Sequence, residues 1–394
     1  MTRRVLFTRL AAILLGLALS LALGELGLRL AGPRVGEPRL PLSYDRQAID
    51  RLAVGDAYVT FDAQLGWLPT PSVDRVDGDV HYRHNAAGLR ADRDFAPTPR
   101  PGVRRFAAYG DSFTYCEEVE LEDCWTERLA EMLPNSEVLN FGVPGYAPDQ
   151  AWLRYQRDGS AWRPCAVLIG AMVENINRVV NRFRPFYYPE TGIPLAKPRF
   201  VLDGGRPVLL ESPARWPEPL KDPAWVEDSL SSRDAWYFPG TFIANPLDRF
   251  ELVSLARTAR YRFGRQEGVD WTRAWAERMY HPGDEAFEVL TAVLVGEANQ
   301  VRADGATPVV LIFPWRDEVL AQREGNPKPH EPLLDALKER RVTTIDLTDA
   351  LGEQARRSSL GNLVVNHYRP LGNTVVARTL ARELPRLTAA TCGR

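Results

Sequence analysis

The chain has 394 residues, 45% of them hydrophobic and 25% charged, with a formal net charge of −2. That is globular composition with ample length for a large core, and the near-neutral balance argues against nucleic acid as a partner, which would need a concentrated basic footprint. The four cysteines (Cys116, Cys124, Cys165 and Cys392) have neither CxxC spacing nor zinc-like His partners, so no metal or other cofactor is expected. Cys116 and Cys124 are near enough in sequence to bridge in an oxidising compartment, or to sit as small buried thiols.

The N-terminus carries the first element. Arg3, Arg4 and Arg9 precede an uncharged run from Leu10 to Gly24, and counting from Val5 gives about twenty mostly apolar residues, enough to cross a bilayer. Arginines before the span and none of comparable density after it place the N-terminus in the cytoplasm and the body on the periplasmic or extracellular side. A cleaved signal peptide with small residues at Ser20 and Ala22 would export the body as a secreted protein. The amphipathic continuation through Glu25 and Arg29 favours an uncleaved single-pass anchor over residues 1–31.

Residues 32–103 read as a linker with one helix, followed by a small β region of short alternating pieces at 58–97. From 104 the pattern becomes regular: strand 105–110, helix 124–133, strand 137–142, helix 149–162, strand 166–171. Alternation of this kind predicts an α/β fold with a parallel, doubly wound sheet. An insertion rich in Pro, Trp, Tyr and Arg fills 178–284, with a hairpin at 200–210 and helical pieces near 246–262 and 270–280. The sheet pattern resumes with helix 285–304, strand 308–313, helix 331–339, strand 342–347 and a final helix 373–387. The α/β domain therefore comprises 104–177 and 285–390, with 178–284 as a cap.

Gly110-Asp111-Ser112 follows the first strand of that sheet, where open α/β sheets bind ligands at their carboxyl edge. Ser112 is a candidate nucleophile, and a nucleophilic serine needs a base and donors for an oxyanion. Of the five histidines, only His367 lies in a loop just before the last helix, which returns to the same edge. Two further loops end there: Asn140-Phe141-Gly142-Val143-Pro144-Gly145 after the second strand and Glu174-Asn175 after the third. A glycine can present its backbone N–H without a side chain in the way, and an Asn amide is a common oxyanion donor. The expected set is Ser112 and His367 as catalytic pair, with Ser112, Gly142 and Asn175 forming the oxyanion hole.

These four blocks, Ser, Gly, Asn and His in chain order, resemble the SGNH (GDSL-type) hydrolase superfamily over residues 104–387. The membrane-anchored subset related to bacterial polysaccharide O-acetylation is most similar, and a stretch like Asn85-Ala86-Ala87-Gly88-Leu89-Arg90 commonly precedes the serine block there. The resemblance implies a flavodoxin-like three-layer α/β/α fold and ester hydrolysis, or acyl transfer, through an acyl-serine. Two positions depart from it. Val364 and Val365 stand where an Asp usually precedes the His, so the orienting carboxylate is absent, supplied from elsewhere or replaced by a carbonyl. Glu174-Asn175 stands where Asn-Asp is usual, so the donor role of Asn175 depends on a one-residue register.

The expected function is an exported serine esterase acting on an ester-bearing small molecule or an O-acylated glycan, attached to the membrane by its N-terminal helix. The alternatives are an O-acyltransferase acting on extracytoplasmic polysaccharide and a non-catalytic glycan-binding or assembly protein. The aromatic stretch of the insertion reads as the core of the cap or as a sugar-stacking wall. Metal and phosphate-loop chemistry lack motifs: there is no HExxH, and no Gly-rich loop with Lys follows a strand.

Overall fold

The computed structural model describes residues 3–31, 45–55, 58–188, 194–240, 242–243, 245–265 and 278–393. Helices Arg3–Ala31 and Arg46–Val54 are followed by two short antiparallel hairpins: β1 (Val59–Asp62) with β2 (Gly66–Pro69), and β3 (Asp74–Asp77) with β4 (Val80–Arg83). The regular pattern then delivers β5 (Arg104–Gly110), β6 (Ser136–Gly142) and β7 (Ala166–Met172). A third hairpin, β8 (Arg199–Asp203) with β9 (Arg206–Leu210), lies in the insertion, and β10 (Thr307–Phe313) and β11 (Thr344–Asp346) complete the set. The main sheet is parallel with five strands in the order β11-β10-β7-β5-β6. That is the flavodoxin-like order, with its crevice between the carboxyl ends of β5 and β7, where successive connections leave in opposite directions.

Each sheet face is covered because successive side chains of a strand point to opposite sides. Ala107, Tyr109, Leu139, Phe141, Val167 and Ile169 pack with helices Pro148–Asp158 and Glu285–Ala303. Phe106, Ala108, Val138, Leu168, Val309 and Leu311 pack with helices Trp125–Met132, Thr348–Arg357 and Pro370–Leu387. Helices Arg316–Arg323 and Thr348–Arg357 were not expected from the sequence. The first is mostly polar, with Val319 its buried residue, and the second contains Gly352, a poor helix former. That glycine is needed, because a Cβ there would lie 2.4 Å from the Gln322 side chain on the neighbouring helix.

Among the described residues, the insertion does not form a core of its own. Phe183, Phe186, Tyr187, Trp236 and Phe242 belong to the same buried cluster as the first sheet face, so most of its aromatic stretch is packing. Its expected hairpin is β8–β9, and its first helical piece is a 3-10 turn, Pro246–Arg249, followed by helix Glu251–Arg265. The helix expected near 270–280 falls largely outside the described residues.

The cysteines pair differently from the bridge considered between Cys116 and Cys124. Cys165, just before β7, is bonded to Cys392 near the C-terminus, with their Cα atoms 5.1 Å apart, while Cys116 and Cys124 are free and buried. Cys116 ends the helix Ser112–Tyr115 in a left-handed turn and directs its sulfur to the Thr114 carbonyl. The bridge closes a loop of 227 residues, which restricts the unfolded chain strongly. Replacing Cys165 and Cys392 by Ala should lower unfolding stability by about 2–5 kcal/mol. Alkylation of the unreduced, denatured protein should modify Cys116 and Cys124 only, and modification of all four thiols would contradict the pairing.

Candidate active site

The nucleophile loop is shaped by close approach. A Cβ on Gly110 would lie 2.2 Å from Thr114 Oγ1, so the strand can turn directly into the helix Ser112–Tyr115 only with glycine there. Asp111 caps that helix through Oδ1, which accepts from the Phe113 N–H at 2.9 Å. Its other oxygen accepts from Asn175 Nδ2 at 2.9 Å, and the carboxylate is buried. Ser112 is left at the first turn of the helix facing a cavity of about 350 Å³ at the crevice between β5 and β7. Its backbone N–H carries no hydrogen bond within the described residues.

His367 arrives from the loop before the final helix, and its Nε2 lies 2.9 Å from Ser112 Oγ across 255 positions of sequence. The loop is pinned on either side of the imidazole. Trp315 Nε1 donates to the Asn366 carbonyl at 2.6 Å, and the Tyr368 hydroxyl donates to the Pro314 carbonyl at 2.6 Å.

The carboxylate absent from the residues before His367 comes from the loop after the nucleophile. Glu118 Oε1 lies 3.2 Å from His367 Nδ1, within ion-pair distance although the ring N–H points off the direct line, and it also accepts from Asn366 Nδ2 at 3.2 Å. The adjacent Glu117 places Oε2 3.4 Å from His367 Nε2, while its Oε1 accepts from the Tyr58 hydroxyl at 3.0 Å. Two consecutive side chains reach one ring because the backbone folds sharply: Cys116 and Glu118 have φ of 65° and 69°, left-handed values that L-residues rarely adopt. The turn is held from outside. The Glu118 N–H donates to the Tyr82 hydroxyl at 3.1 Å, and Arg90 donates to the Val119 carbonyl at 2.9 Å with its guanidinium over the Tyr82 and Tyr115 rings. His84, also from the small β region, bonds the Tyr115 hydroxyl at 2.7 Å, and burial pushes its pKa down to about 4.

Electrostatics follow from these neighbours. Burial works against a charged His367, but Glu118, then Glu117 and Asp111, outweigh it and raise the imidazole above its ordinary value. The His367 imidazole close beside it holds the Glu118 carboxyl below its ordinary value despite burial.

The two remaining expected residues sit elsewhere than the sequence reading placed them. Gly142 lies beneath the nucleophile: its N–H donates to Asn140 Oδ1 at 2.9 Å, and a Cβ there would lie 2.2 Å from the Tyr115 nitrogen. The glycine that lines the cavity is Gly145, with φ 79° in the turn Val143-Pro144-Gly145-Tyr146, closed by the Tyr146 N–H to the Val143 carbonyl at 3.2 Å. No hydrogen bond occupies the Gly145 N–H within the described residues. Asn175 is fully buried, with Oδ1 accepting from the Met172 N–H at 3.0 Å and Nδ2 given to Asp111. The cavity wall at this point is Glu174, ion-paired at 2.6 Å with Arg178, whose guanidinium also lies 3.6 Å from Asp111. The register is one residue off, as the Glu-Asn order allows. Burial pushes the Glu174 carboxyl up, partly offset by Arg178, and lowers Arg184 on the same wall to about 10. No group of three or more His, Cys, Asp or Glu placed to hold a metal occurs among the described residues.

No protein-family model matches the sequence, and no curated protein matches it. A solved lipolytic protein of the G-D-S-L family from Desulfitobacterium hafniense aligns at 13% identity over 71% of this chain and 98% of its own, with a TM-score of 0.32. An acetylxylan esterase from Geobacillus stearothermophilus aligns at 12% over 71% and 94%, with a TM-score of 0.39. An alpha/beta hydrolase from the metagenome of Lake Arreo, Spain, aligns at 10% over 73% and 96%, with a TM-score of 0.37. Likeness of this degree carries nothing about chemistry, which is read from the side chains around Ser112.

Because its Cβ would strike backbone rather than a flexible side chain, Gly142→Ala should cost stability at the upper end of the about 1–3 kcal/mol typical of overpacking. It should also slow phosphonate labelling of Ser112. A thermal melt and a labelling time course identical to the parent would contradict this placement.

Proposed function

We propose that the chain is a membrane-tethered, exported serine esterase of the SGNH type, cleaving acetyl or other short acyl esters through an acyl-serine. The observation that carries this reading is the 2.9 Å contact between Ser112 Oγ and His367 Nε2 inside the cavity. An uncharged stretch followed by Glu25 and Arg29, and the Cys165–Cys392 bridge, support export to an oxidising compartment.

In the first step neutral His367 takes the Ser112 proton as Oγ attacks the ester carbonyl. The oxyanion is held by the N–H groups of Ser112 and Gly145, with the Arg178 guanidinium on the same wall supplying positive charge. His367 then gives its proton to the departing alkoxide. Water, activated in turn by His367, attacks the acyl-serine, and the carboxylate leaves as Ser112 regains its proton. Glu118 stabilises the imidazolium by its charge beside Nδ1, a part of what a third triad member does. A carboxylate in that place, where the residues before His367 offer none, supports a catalytic site over a non-catalytic protein of the same fold. The cavity is small for a ligand site, which favours a short acyl group. Transfer to a glycan hydroxyl would use the same residues, with the sugar in place of water. Tyr188, 40% exposed at the cavity, offers a face on which it could stack. Assays separating free acetate from acetylated acceptor distinguish the two.

Ser112→Ala should reduce hydrolysis of an acetyl-ester test substrate by on the order of 10⁵-fold with an unchanged melt. Retained activity would remove Ser112 from the mechanism. The base works when neutral, so the rate should rise with pH through an imidazole pKa displaced above about 6.5. Glu117, Glu118 and Asp111 face the ring, and Arg369 acts on Glu118. Glu118→Gln should move the acid limb to lower pH and cut kcat on the order of 10²- to 10⁴-fold, with Glu118→Asp intermediate. A Glu118→Gln enzyme with the parental pH profile and kcat would show that Glu118 plays no part.

A further inference from the structure

The N-terminal helix, Arg3–Ala31, meets the body at a defined place. The Glu25 carboxylate accepts from the backbone N–H groups of Glu251 and Leu252, both at 3.0 Å, capping the helix Glu251–Arg265. Arg29 bonds Glu25 at 2.7 Å and the Arg249 carbonyl at 3.1 Å, while Gly24 leaves room for the Leu252 side chain. Glu25 is also the first charge after Arg9. Eighteen residues separate it from Phe7, where the apolar stretch begins. At about 1.5 Å per residue this is roughly the thickness of a hydrocarbon core. If that stretch spans a bilayer, its outer boundary falls at Glu25, and the body segment fixed to Glu25 lies at the headgroup layer.

That segment has the surface such a position requires. Ile243, Leu247, Phe250 and Leu255 are 41%, 50%, 37% and 36% exposed around the capping contact. In the helix that follows, Arg257 is held by Asp248 and the Gly240 and Ile243 carbonyls, while Arg260 is exposed and the sequence continues with Arg262 and Arg265, with no acidic residue after Glu251. Apolar side chains beside arginines, with Phe250 under the Arg249 guanidinium, are the composition of an interfacial element.

Resting on the anchor reading, we infer that residues 243–255 and the basic helix after them form a second membrane contact, seated in the headgroup layer of an anionic phospholipid bilayer. The transmembrane helix supplies retention, and this contact sets the orientation of the body, so the cavity of Ser112 is held at a fixed height above the bilayer rather than swinging on a tether. A body held this way favours esters borne on surface-associated molecules.

The test uses the full chain in vesicles of phosphatidylcholine and phosphatidylglycerol, with an environment-sensitive fluorophore at Leu247→Cys or Leu255→Cys and, as a reference, at Val208→Cys on the β8–β9 hairpin. Spin-labelled lipid should quench the first two at least roughly threefold more than the reference, and aqueous iodide should quench them less. Equal quenching at all three positions, with the chain retained in the membrane after carbonate washing, overturns the second contact alone. Release of the chain by carbonate overturns the anchor and the contact together.

Discussion

One imidazole held between two consecutive carboxylates is the constraint on which the site depends. Glu118 at Nδ1 and Glu117 near Nε2 reach His367 because the chain turns through left-handed conformations at Cys116 and Glu118. Such residues cost on the order of 1–3 kcal/mol each and persist only where the surroundings over-determine them. Here the surroundings are Tyr58, Tyr82 and Arg90, with Tyr58, Tyr82 and Tyr115 stacked on one another. The two N-terminal hairpins are thus a brace for the loop that carries Glu117 and Glu118 rather than a spacer after the N-terminal helix. Removing them would release the strain and withdraw the carboxylates from the ring.

The parts of this arrangement that could be read from the sequence are those carried by local chemistry. Strands of the main sheet announce themselves as apolar runs buried on both faces, and Gly110-Asp111-Ser112 as the sharp exit from one of them. His367 was identifiable by elimination, because few histidines exist and one precedes the last helix. Glu118 was not, since an orienting carboxylate need only arrive in space and can come from any element. Its signal, visible in hindsight, is a pair of adjacent acids a few residues beyond the nucleophile. Gly142 and Gly145 compete within one loop, and only the backbone decides that the first packs under Tyr115 while the second turns at positive φ beside the cavity. Asn175 and Glu174 were exchanged for a similar reason: a helical start at Asn175 buries the first and exposes the second to the cavity. Pairing of Cys165 with Cys392 is a long-range contact that no spacing rule reveals.

The exchange of Asn for Glu174 at the cavity wall has a physical consequence. A lone ionised Glu would oppose an oxyanion, yet Glu174 is paired with Arg178, and burial favours its neutral form. Arg178 also lies near the buried Asp111, which Asn175 holds from the other side. The Asn175 amide thus fixes the helix cap at Asp111, and a guanidinium stands on the cavity wall. Arg184 adds a second positive group there, lowered only to about 10 and so charged at neutral pH.

Apart from Glu174, which Arg178 neutralises, charge across the cavity is consequently sorted by side. Arg178 and Arg184 stand on the wall that carries Gly145, and Glu117 and Glu118 stand beside His367. In the proposed acylation, negative charge would develop on the carbonyl oxygen and positive charge on the imidazole. Both fall next to fixed groups of opposite sign, in a partly enclosed site where such interactions are stronger than in water. Neither side needs to reorganise as the reaction proceeds. The same sorting sets a cost: the carboxylates that would stabilise the imidazolium in the proposed mechanism also stabilise it at rest. On that mechanism the site gains transition-state support by surrendering activity on the acid side of neutrality.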